Sequence, residues 1–202
     1  MPSSPKVQKE LILKTAMDLL IREGYAAINI KAVANELGCS TQPISRQFGS
    51  MDGFRKELLT YCIGHMKQYF GVSGNCVSEI VLGIPKGYVT LAFDFPNIYK
   101  YFYMNEHEEE KMNTLFQTLR SDGYERIIEM LQEEYHMPES CAKEFLNHLN
   151  YYVHGIASYV AIGFVGISRQ EVMEKVQRVS ESFLKNWQEM TGCEGKQYEK
   201  DR

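Results

Sequence analysis

Apolar side chains recur at three- and four-residue spacing through most of the chain, and no stretch alternates apolar and polar residues as a half-buried strand does. Leu, Ile, Met, Glu and Lys, which all favour helices, fill long stretches between only six prolines. With 44% apolar residues among 202, the chain can also bury a sizeable core. This pattern predicts an all-α protein of about nine helices.

Three short helices are predicted near the N-terminus. The first runs from about Val7 to Glu23 and ends at Gly24. The second begins after Asn29, whose side chain suits an N-cap, and stops at Gly38. After a turn of only a residue or two, the third starts with Ser40 as its cap and runs to Phe48. Two helices joined by a short turn have the layout of a helix-turn-helix motif.

The third helix has one apolar and one polar side. Ile44 and Phe48 lie four residues apart and can pack inward. Pro43 falls in the first turn, where its missing N–H leaves no hydrogen bond unmade. The exposed side carries only hydrogen-bonding side chains: Thr41, Gln42, Ser45, Arg46 and Gln47.

Longer helices are predicted in the remainder of the chain. One runs from Met51 or Asp52 to about Phe70, and Pro138 and Ser168 open the two final helices. Less sharply bounded helices are predicted at about 76–94, 96–105, 111–119 and 122–136, the first of them kinked or interrupted at Pro85. We therefore expect a helix-turn-helix head over residues 1–50 and a helical body over residues 51–202.

Charge is distributed unevenly along the chain. The net charge is −4, yet residues 1–60 carry eight Lys and Arg against six Asp and Glu, which leaves the remainder at −6. A weakly basic head on an acidic body fits a protein that touches nucleic acid with one end only.

The cysteines and the N-terminal residues favour the cytoplasm. The five cysteines form an odd set without metal-ligand spacing, so the sequence indicates neither a disulfide framework nor a zinc site. They are Cys39, Cys62, Cys76, Cys141 and Cys193. The first ten residues lack the basic start and apolar core of a secretory signal. We expect a cytoplasmic protein.

One uncharged stretch has the length of a membrane span. It runs from Phe145 to Ser168 and has no Trp at its flanks. Its polar side chains would be costly in hydrocarbon: Asn147, His148, Asn150 and His154. A helix buried between protein surfaces is therefore the favoured interpretation, with a membrane span as the alternative.

No pattern in the sequence predicts catalysis, a cofactor or a metal. The run from Glu106 to Glu110 contains His107 among carboxylates, but consecutive helical residues point in different directions, so a solvated loop or helix end is expected. No HExxH motif, glycine-rich phosphate loop or nucleophile elbow is present. We expect a protein that is not an enzyme.

Three groups of residues carry a resemblance to a known family. In the first helix they are Ile12, Ala16, Leu20, Gly24 and Tyr25. The second helix and turn read INIKAVANELGCS, residues 28–40, and the third group is Arg46, Phe48, Ser50 and Phe54. These residues resemble the helix-turn-helix segment of the TetR family of bacterial transcriptional regulators. Two positions depart from its pattern, because Ser45 replaces a usual Tyr and Met51 a usual Lys, both of which anchor phosphates in the family.

The resemblance implies a DNA-binding role for the head. Gln42 can pair with adenine, Arg46 with guanine or a phosphate, and Thr41 with a base or a thymine methyl group. The predicted DNA-binding set is Asn29, Lys31, Ser40, Thr41, Gln42, Pro43, Ser45, Arg46, Gln47 and Lys56. In most proteins, exposed polar residues of this kind only contact water, and Asn29 can serve as a helix cap alone. Because Gln42-Pro43 replaces the small pair that is common in the family, we expect an operator sequence different from those of typical members.

The resemblance also implies that the body pairs with a second copy and binds a small molecule. The final two helices carry long apolar stripes that an intermolecular four-helix bundle would cover. The predicted dimer interface is Tyr152, Ile156, Tyr159, Val160, Val176, Val179 and Phe183. The predicted ligand pocket is Tyr88, Phe93, Tyr99, Phe102, Tyr103 and Phe116. Packing within a single chain would explain the apolar residues of the interface set and of the pocket set equally well.

The resulting interpretation is a cytoplasmic homodimeric repressor. Its two third helices would enter successive major-groove faces about one turn, ~34 Å, apart on a pseudo-palindromic operator, and a small-molecule effector would change their spacing. Two alternatives stay open. One is a DNA-binding protein controlled by a protein partner, and the other is an all-α protein-interaction or membrane-associated protein without specific DNA binding.

Overall fold

A computed structural model describes residues 7–69, 76–104, 123–164 and 166–193, and every regular element within these ranges is helical. The all-α prediction is therefore confirmed. The α-helices are α1 (Lys9–Glu23), α2 (Ile30–Glu36), α3 (Gln42–Phe48), α4 (Met51–Met66), α5 (Val77–Asp94), α6 (Pro96–Tyr103), α7 (Tyr124–Tyr135), α8 (Glu139–Ala161), α9 (Arg169–Lys185) and α10 (Trp187–Thr191). Short 3₁₀ turns cover Tyr25–Ala27 and Lys67–Tyr69. The helix predicted at 111–119 and the acidic run at 106–110 lie outside the described residues.

Local sequence signals place several helix ends correctly. The Asn29 side chain accepts a hydrogen bond from the Ala32 amide at 2.9 Å and begins α2. Ser168 and Glu171 form a capping box at the start of α9, in which each side chain accepts from the other residue's amide. α1 ends at Gly24, which has a φ of 85°.

Other predicted boundaries are wrong. α3 begins at Gln42, with Thr41 rather than Ser40 in the cap position and no side-chain cap, so the turn before it is longer than predicted. The range predicted for α5 is confirmed, and of the two outcomes expected at Pro85 the interruption is absent, because the helix continues through this buried residue. α9 ends at Lys185, and Trp187 begins the separate short helix α10.

The apolar interior forms two clusters that divide the chain differently from its sequence order. One contains residues of the first four helices and of α6, together with Leu91 and Ala92 near the end of α5 and Ala157 and Ala161 near the end of α8. The other contains residues of α5 and of the last four helices, α7, α8, α9 and α10. Thus α4 and α6, which follow the predicted head in sequence, pack into the same core as the head. The division at residue 50 stays a prediction.

A disulfide in the second cluster contradicts the expectation that none is present. Cys141, in the first turn of α8, is bonded to Cys193, which follows α10, and their Cα atoms lie 6.2 Å apart. The two positions are 52 residues apart, and no spacing rule connects them. Their proximity arises only when α10 folds back onto α8.

The end of α4 meets the body at a close approach between two backbones. A Cβ atom at Gly87, in the middle of α5, would lie 1.8 Å from the Tyr69 carbonyl oxygen. The Tyr69 ring packs edge-on against Phe95, with ring centroids 5.8 Å apart. Only glycine at position 87 allows the turn after α4 to lie this close to α5.

We expect Gly87→Ala to separate these two segments and to lower the free energy of unfolding by about 1–3 kcal/mol, since overpacking at a rigid backbone contact costs this much. Urea unfolding measures the change. Gly64→Ala is the matched control, because Gly64 lies within α4 and a Cβ atom there would meet nothing within 4 Å. Equal unfolding free energies for the two variants would contradict the account of Gly87.

Candidate nucleic-acid interface

The turn between α2 and α3 is fixed by backbone hydrogen bonds. The Cys39 amide donates to the Ala34 carbonyl at 3.0 Å, and the Gly38 amide donates to Asn35 at 3.1 Å. These two bonds are those of a Schellman motif, which needs a left-handed residue where Gly38 lies with a φ of 63°. Gly38 therefore sets the direction in which the chain leaves α2 and approaches α3.

The apolar side of α3 anchors this helix in the head. Ile44 is fully buried and Phe48 is 8% exposed, as the sequence predicts. The Phe48 ring packs edge-on against Phe54 of α4, with ring centroids 5.1 Å apart. Ser50 caps α4 by accepting a hydrogen bond from the Gly53 amide at 3.0 Å. The orientation of α3 is thus set by two side chains and by the start of α4.

The opposite side of α3 faces solvent. Thr41, Gln42, Ser45 and Arg46 are all exposed, and so are Ser40 in the turn and Lys31 in the first turn of α2. Within the described part of the chain, neither Arg46 nor Lys31 forms an ion pair. Two other cations of the head are paired, because Arg22 contacts Glu36 at 2.6 Å and Lys9 contacts Glu57 at 2.5 Å.

Some of the predicted DNA-binding residues make structural contacts within the chain. Gln47 is half-buried, and its Nε2 donates to the Val7 carbonyl at 2.8 Å, which ties α3 to the chain entering α1. Pro43 is half-buried, and Asn29 is occupied as the cap of α2. Lys56 lies on the exposed side of α4. The sequence pattern gave no sign of the bond between Gln47 and Val7, because its partners lie 40 residues apart.

One face of α6 contacts the head. The Tyr101 ring stacks on Tyr25 with centroids 5.1 Å apart, and its hydroxyl donates to the Arg55 carbonyl at 3.4 Å. Asn97 donates from Nδ2 to the Ile21 carbonyl near the end of α1, at 3.0 Å. These contacts fix α6 to α1, to the turn after it and to α4.

The other face of α6 contacts α8. The buried Tyr99 hydroxyl lies 3.0 Å from Nδ1 of His154 and 3.3 Å from the Ser158 hydroxyl. Burial raises the pKa of Tyr99 and lowers the pKa of His154, so both groups are held neutral near pH 7. Neither His154 nor Ser158 is among the residues predicted for the pocket, because only their proximity to Tyr99 in space connects them to it.

Several residues predicted for the ligand pocket gather around this contact. The Tyr103 ring lies 5.0 Å from Tyr99, 5.3 Å from Tyr88 and 6.2 Å from Phe102, between centroids. Phe93 instead packs beneath the Arg169 guanidinium at 5.1 Å. Phe116 lies outside the described residues.

A separate cavity of about 510 Å³ lies at the turn between α7 and α8, where Gln132, His136, Met137 and Pro138 line it.

An exposed apolar stripe follows α8 into the turn after it. Tyr159 is 51% exposed, and Phe164, whose ring packs on it at 5.4 Å, is 75% exposed. Further members of the predicted interface are half-buried: Tyr152, Ile156, Val160, Val179 and Phe183. Val176 differs, because it is 1% exposed and packs inside the chain. Val176 therefore offers no surface to a second copy, and the prediction for this residue is corrected.

The described residues also bear on the other interpretations of the sequence. No helix within them is long and apolar enough to cross a membrane. They hold no group of three or more His, Cys, Asp or Glu side chains placed to bind a metal ion.

Comparison with solved structures gives the fold of most of the chain. A TetR-family transcriptional regulator from Vibrio parahaemolyticus aligns with a TM-score of 0.63 at 16% identity, over 86% of this chain and 96% of its own. One from Rhodococcus sp. aligns with a TM-score of 0.64 at 13% identity, over 87% and 97%. A TetR-like regulator from Rhodococcus sp. RHA1 reaches 0.62 at 14% identity, over 91% and 98%. At such low identity these matches establish the fold alone.

The head is matched by sequence as well. No curated protein matches the chain. Residues 12–58, which run from α1 into α4, match the model of the bacterial regulatory proteins of the tetR family. This segment contains the turn fixed by Gly38 and the exposed face of α3. These comparisons support the TetR family of bacterial transcriptional regulators: residues 12–58 match its model, and most of the chain shares the fold of solved TetR-family regulators.

Proposed function

We propose that the protein is a homodimeric repressor that binds a pseudo-palindromic operator through α3 and leaves it when a small molecule binds in the body. The single observation that carries the DNA-binding part is the solvent-facing side of α3, where four polar side chains are exposed on a helix anchored from behind by Ile44 and Phe48. A helix presented in this way fits the major groove, which is about as wide as a helix.

We assign base contacts to Gln42 and Arg46, and contacts with bases or phosphates to Thr41 and Ser45. An unpaired guanidinium can reach guanine with two hydrogen bonds, which a paired one could not do without breaking its ion pair. Lys31 and Lys56, both exposed, are assigned to phosphates, which position the protein without reading sequence. We assign Gln47 a positioning role, since its amide is used by Val7.

The proposed dimer forms through α8 and α9. Tyr159 and Phe164 place large aromatic surfaces in solvent, and half-buried Tyr152 and Phe183 contact each other at 6.2 Å beside them. Burial of such a stripe against its copy removes apolar area from water at roughly 25 cal/mol per Å². A two-fold axis through this face would present two copies of α3 to one side of the DNA.

The proposed effector acts through α6. Tyr99 and Tyr103 hold α6 to His154 of α8, while Tyr101 and Asn97 hold it to the head. A ligand that competes for the Tyr99–His154 contact would shift α6 and carry α1 and α4 with it. Such a ligand must bind the displaced state more tightly than the docked state, because only differential affinity moves the equilibrium.

We expect Arg46→Ala to weaken binding to a duplex that the wild-type chain selects from random DNA by about 1–3 kcal/mol, or roughly 5- to 150-fold, because a bidentate base contact contributes this much. Fluorescence anisotropy at several salt concentrations measures it. Arg126→Ala, which removes an equal charge from the exposed surface of α7, should leave the affinity within about twofold. Equal affinities for the two variants would exclude Arg46 from the interface.

We expect Tyr159→Glu to dissociate the dimer, because it buries a charge in the proposed interface. Light scattering after size exclusion should give twice 23.3 kDa for the wild-type chain and 23.3 kDa for the variant. Leu11→Glu, at a residue of α1 that is 48% exposed, should remain dimeric. A wild-type mass of 23.3 kDa would exclude the dimer. A dimeric Tyr159→Glu variant would show that the dimer forms through another surface.

We expect acid to destabilise the chain through His154. Burial lowers its pKa below 6.5 in the folded state, so the unfolded chain binds more protons near that pH, and stability falls as the pH drops below about 6.5. His154→Gln should flatten the fall in unfolding free energy between about pH 7 and 5, whereas His65→Gln, at an exposed position, should not. Parallel pH profiles for His154→Gln and the wild type would refute the assignment.

A further inference from the structure

The disulfide lies where the last helices of the body meet. Cys141 is the third residue of α8, and Cys193 is the second residue after α10. The Cα separation of 6.2 Å is within the range of natural disulfides. The segment between the two cysteines contains all of α9 and nearly all of α8. The bond therefore holds the end of the described chain against the start of α8.

The two cysteine residues differ in their exposure to solvent. Cys141 is 4% exposed, whereas Cys193 is only partly buried. An external thiolate therefore reaches the Cys193 sulfur first, and the Cys141 sulfur departs. Cys141 lies in the first turn of a 23-residue helix, where free amide groups and the helix dipole stabilise a thiolate. Access and leaving-group stability thus favour the same direction of attack.

We propose that Cys141 and Cys193 form a reversible thiol–disulfide switch that docks or releases α10. On reduction, a glutathione thiolate attacks Cys193, the S–S bond breaks, and its electron pair leaves on Cys141, which then takes a proton. A second glutathione thiolate attacks the mixed disulfide and frees Cys193, and the two glutathione molecules end as one disulfide. Glutathione disulfide reverses both steps, accepting the two electrons and leaving the protein oxidised.

The element that the bond restrains is too short to be stable alone. α10 has five residues, fewer than an isolated helix needs in water. Its apolar anchor is Trp187, which is 9% exposed within the body core. When the bond opens, α10 loses its attachment at one end and retains only its packing on α8 and α9. Trp187 then spends more time in contact with water.

The other three cysteines are free thiols and differ in surroundings from this pair. Cys62 is completely buried, and burial raises its pKa to about 12, so it has almost no thiolate to exchange. Cys76 is partly exposed at the start of α5 and has no disulfide partner. Cys76→Ser is therefore a matched control, since it removes one accessible thiol and leaves the switch intact.

The test uses the full chain equilibrated in glutathione buffers of increasing oxidised-to-reduced ratio. Free thiols are alkylated and counted by intact mass, and fluorescence is recorded from Trp187, the single tryptophan of the sequence. We expect two additional alkylated thiols in reduced buffer, together with a red shift of the emission, and return of both signals in oxidised buffer. The helical content measured by circular dichroism should fall by no more than the five residues of α10.

The variants separate the switch from general unfolding. Cys141→Ser and Cys193→Ser should each show the reduced-state emission in every buffer, whereas Cys76→Ser should respond as the wild type does. A bond that never forms in glutathione disulfide, or that survives in reduced glutathione, overturns the proposal. So does a bond that opens without any change in Trp187 emission. DNA is absent throughout, so the outcome is independent of operator binding.

Discussion

The packing of α6 between the head and α8 constrains the rest of this molecule. This helix has eight residues, yet Tyr101 and Asn97 bind it to the head while Tyr99 binds it to His154. Tyr99 and Tyr101 are at most 2% exposed, so neither face can yield without opening a cavity. If α6 moves relative to α8, then α1 and α4 must move with it. Otherwise, the contacts of α6 with the head and with α8 prevent the movement.

In the proposed mechanism, such a displacement would reach α3 through the contacts that fix α3 within the head. The Schellman turn at Gly38, the burial of Ile44 and Phe48, and the bond from Gln47 to Val7 each fix α3 relative to its neighbours. The side chains left exposed on α3 are those with hydrogen-bonding capacity. Binding chemistry on the surface and rigidity beneath it together suit a reader of DNA, whose contacts must hold a fixed register.

The sequence predicted those features that depend on neighbouring residues. Caps at Asn29 and Ser168 act within three residues, so their types reveal the start of α2 and α9. Features that join distant residues were missed or misassigned. The Cys141–Cys193 bond, the Tyr99–His154 contact and the inward position of Val176 depend on how helices pack together, which periodicity does not determine.

Two copies of α3 are proposed to read one symmetric DNA site, and selection of bound sequences from random duplex DNA with the purified chain tests this directly. We expect enrichment of a two-fold symmetric site whose half-sites are centred about one helical turn, ~34 Å, apart. Recovery of no enriched sequence, or of a single asymmetric half-site bound by one copy, would contradict it.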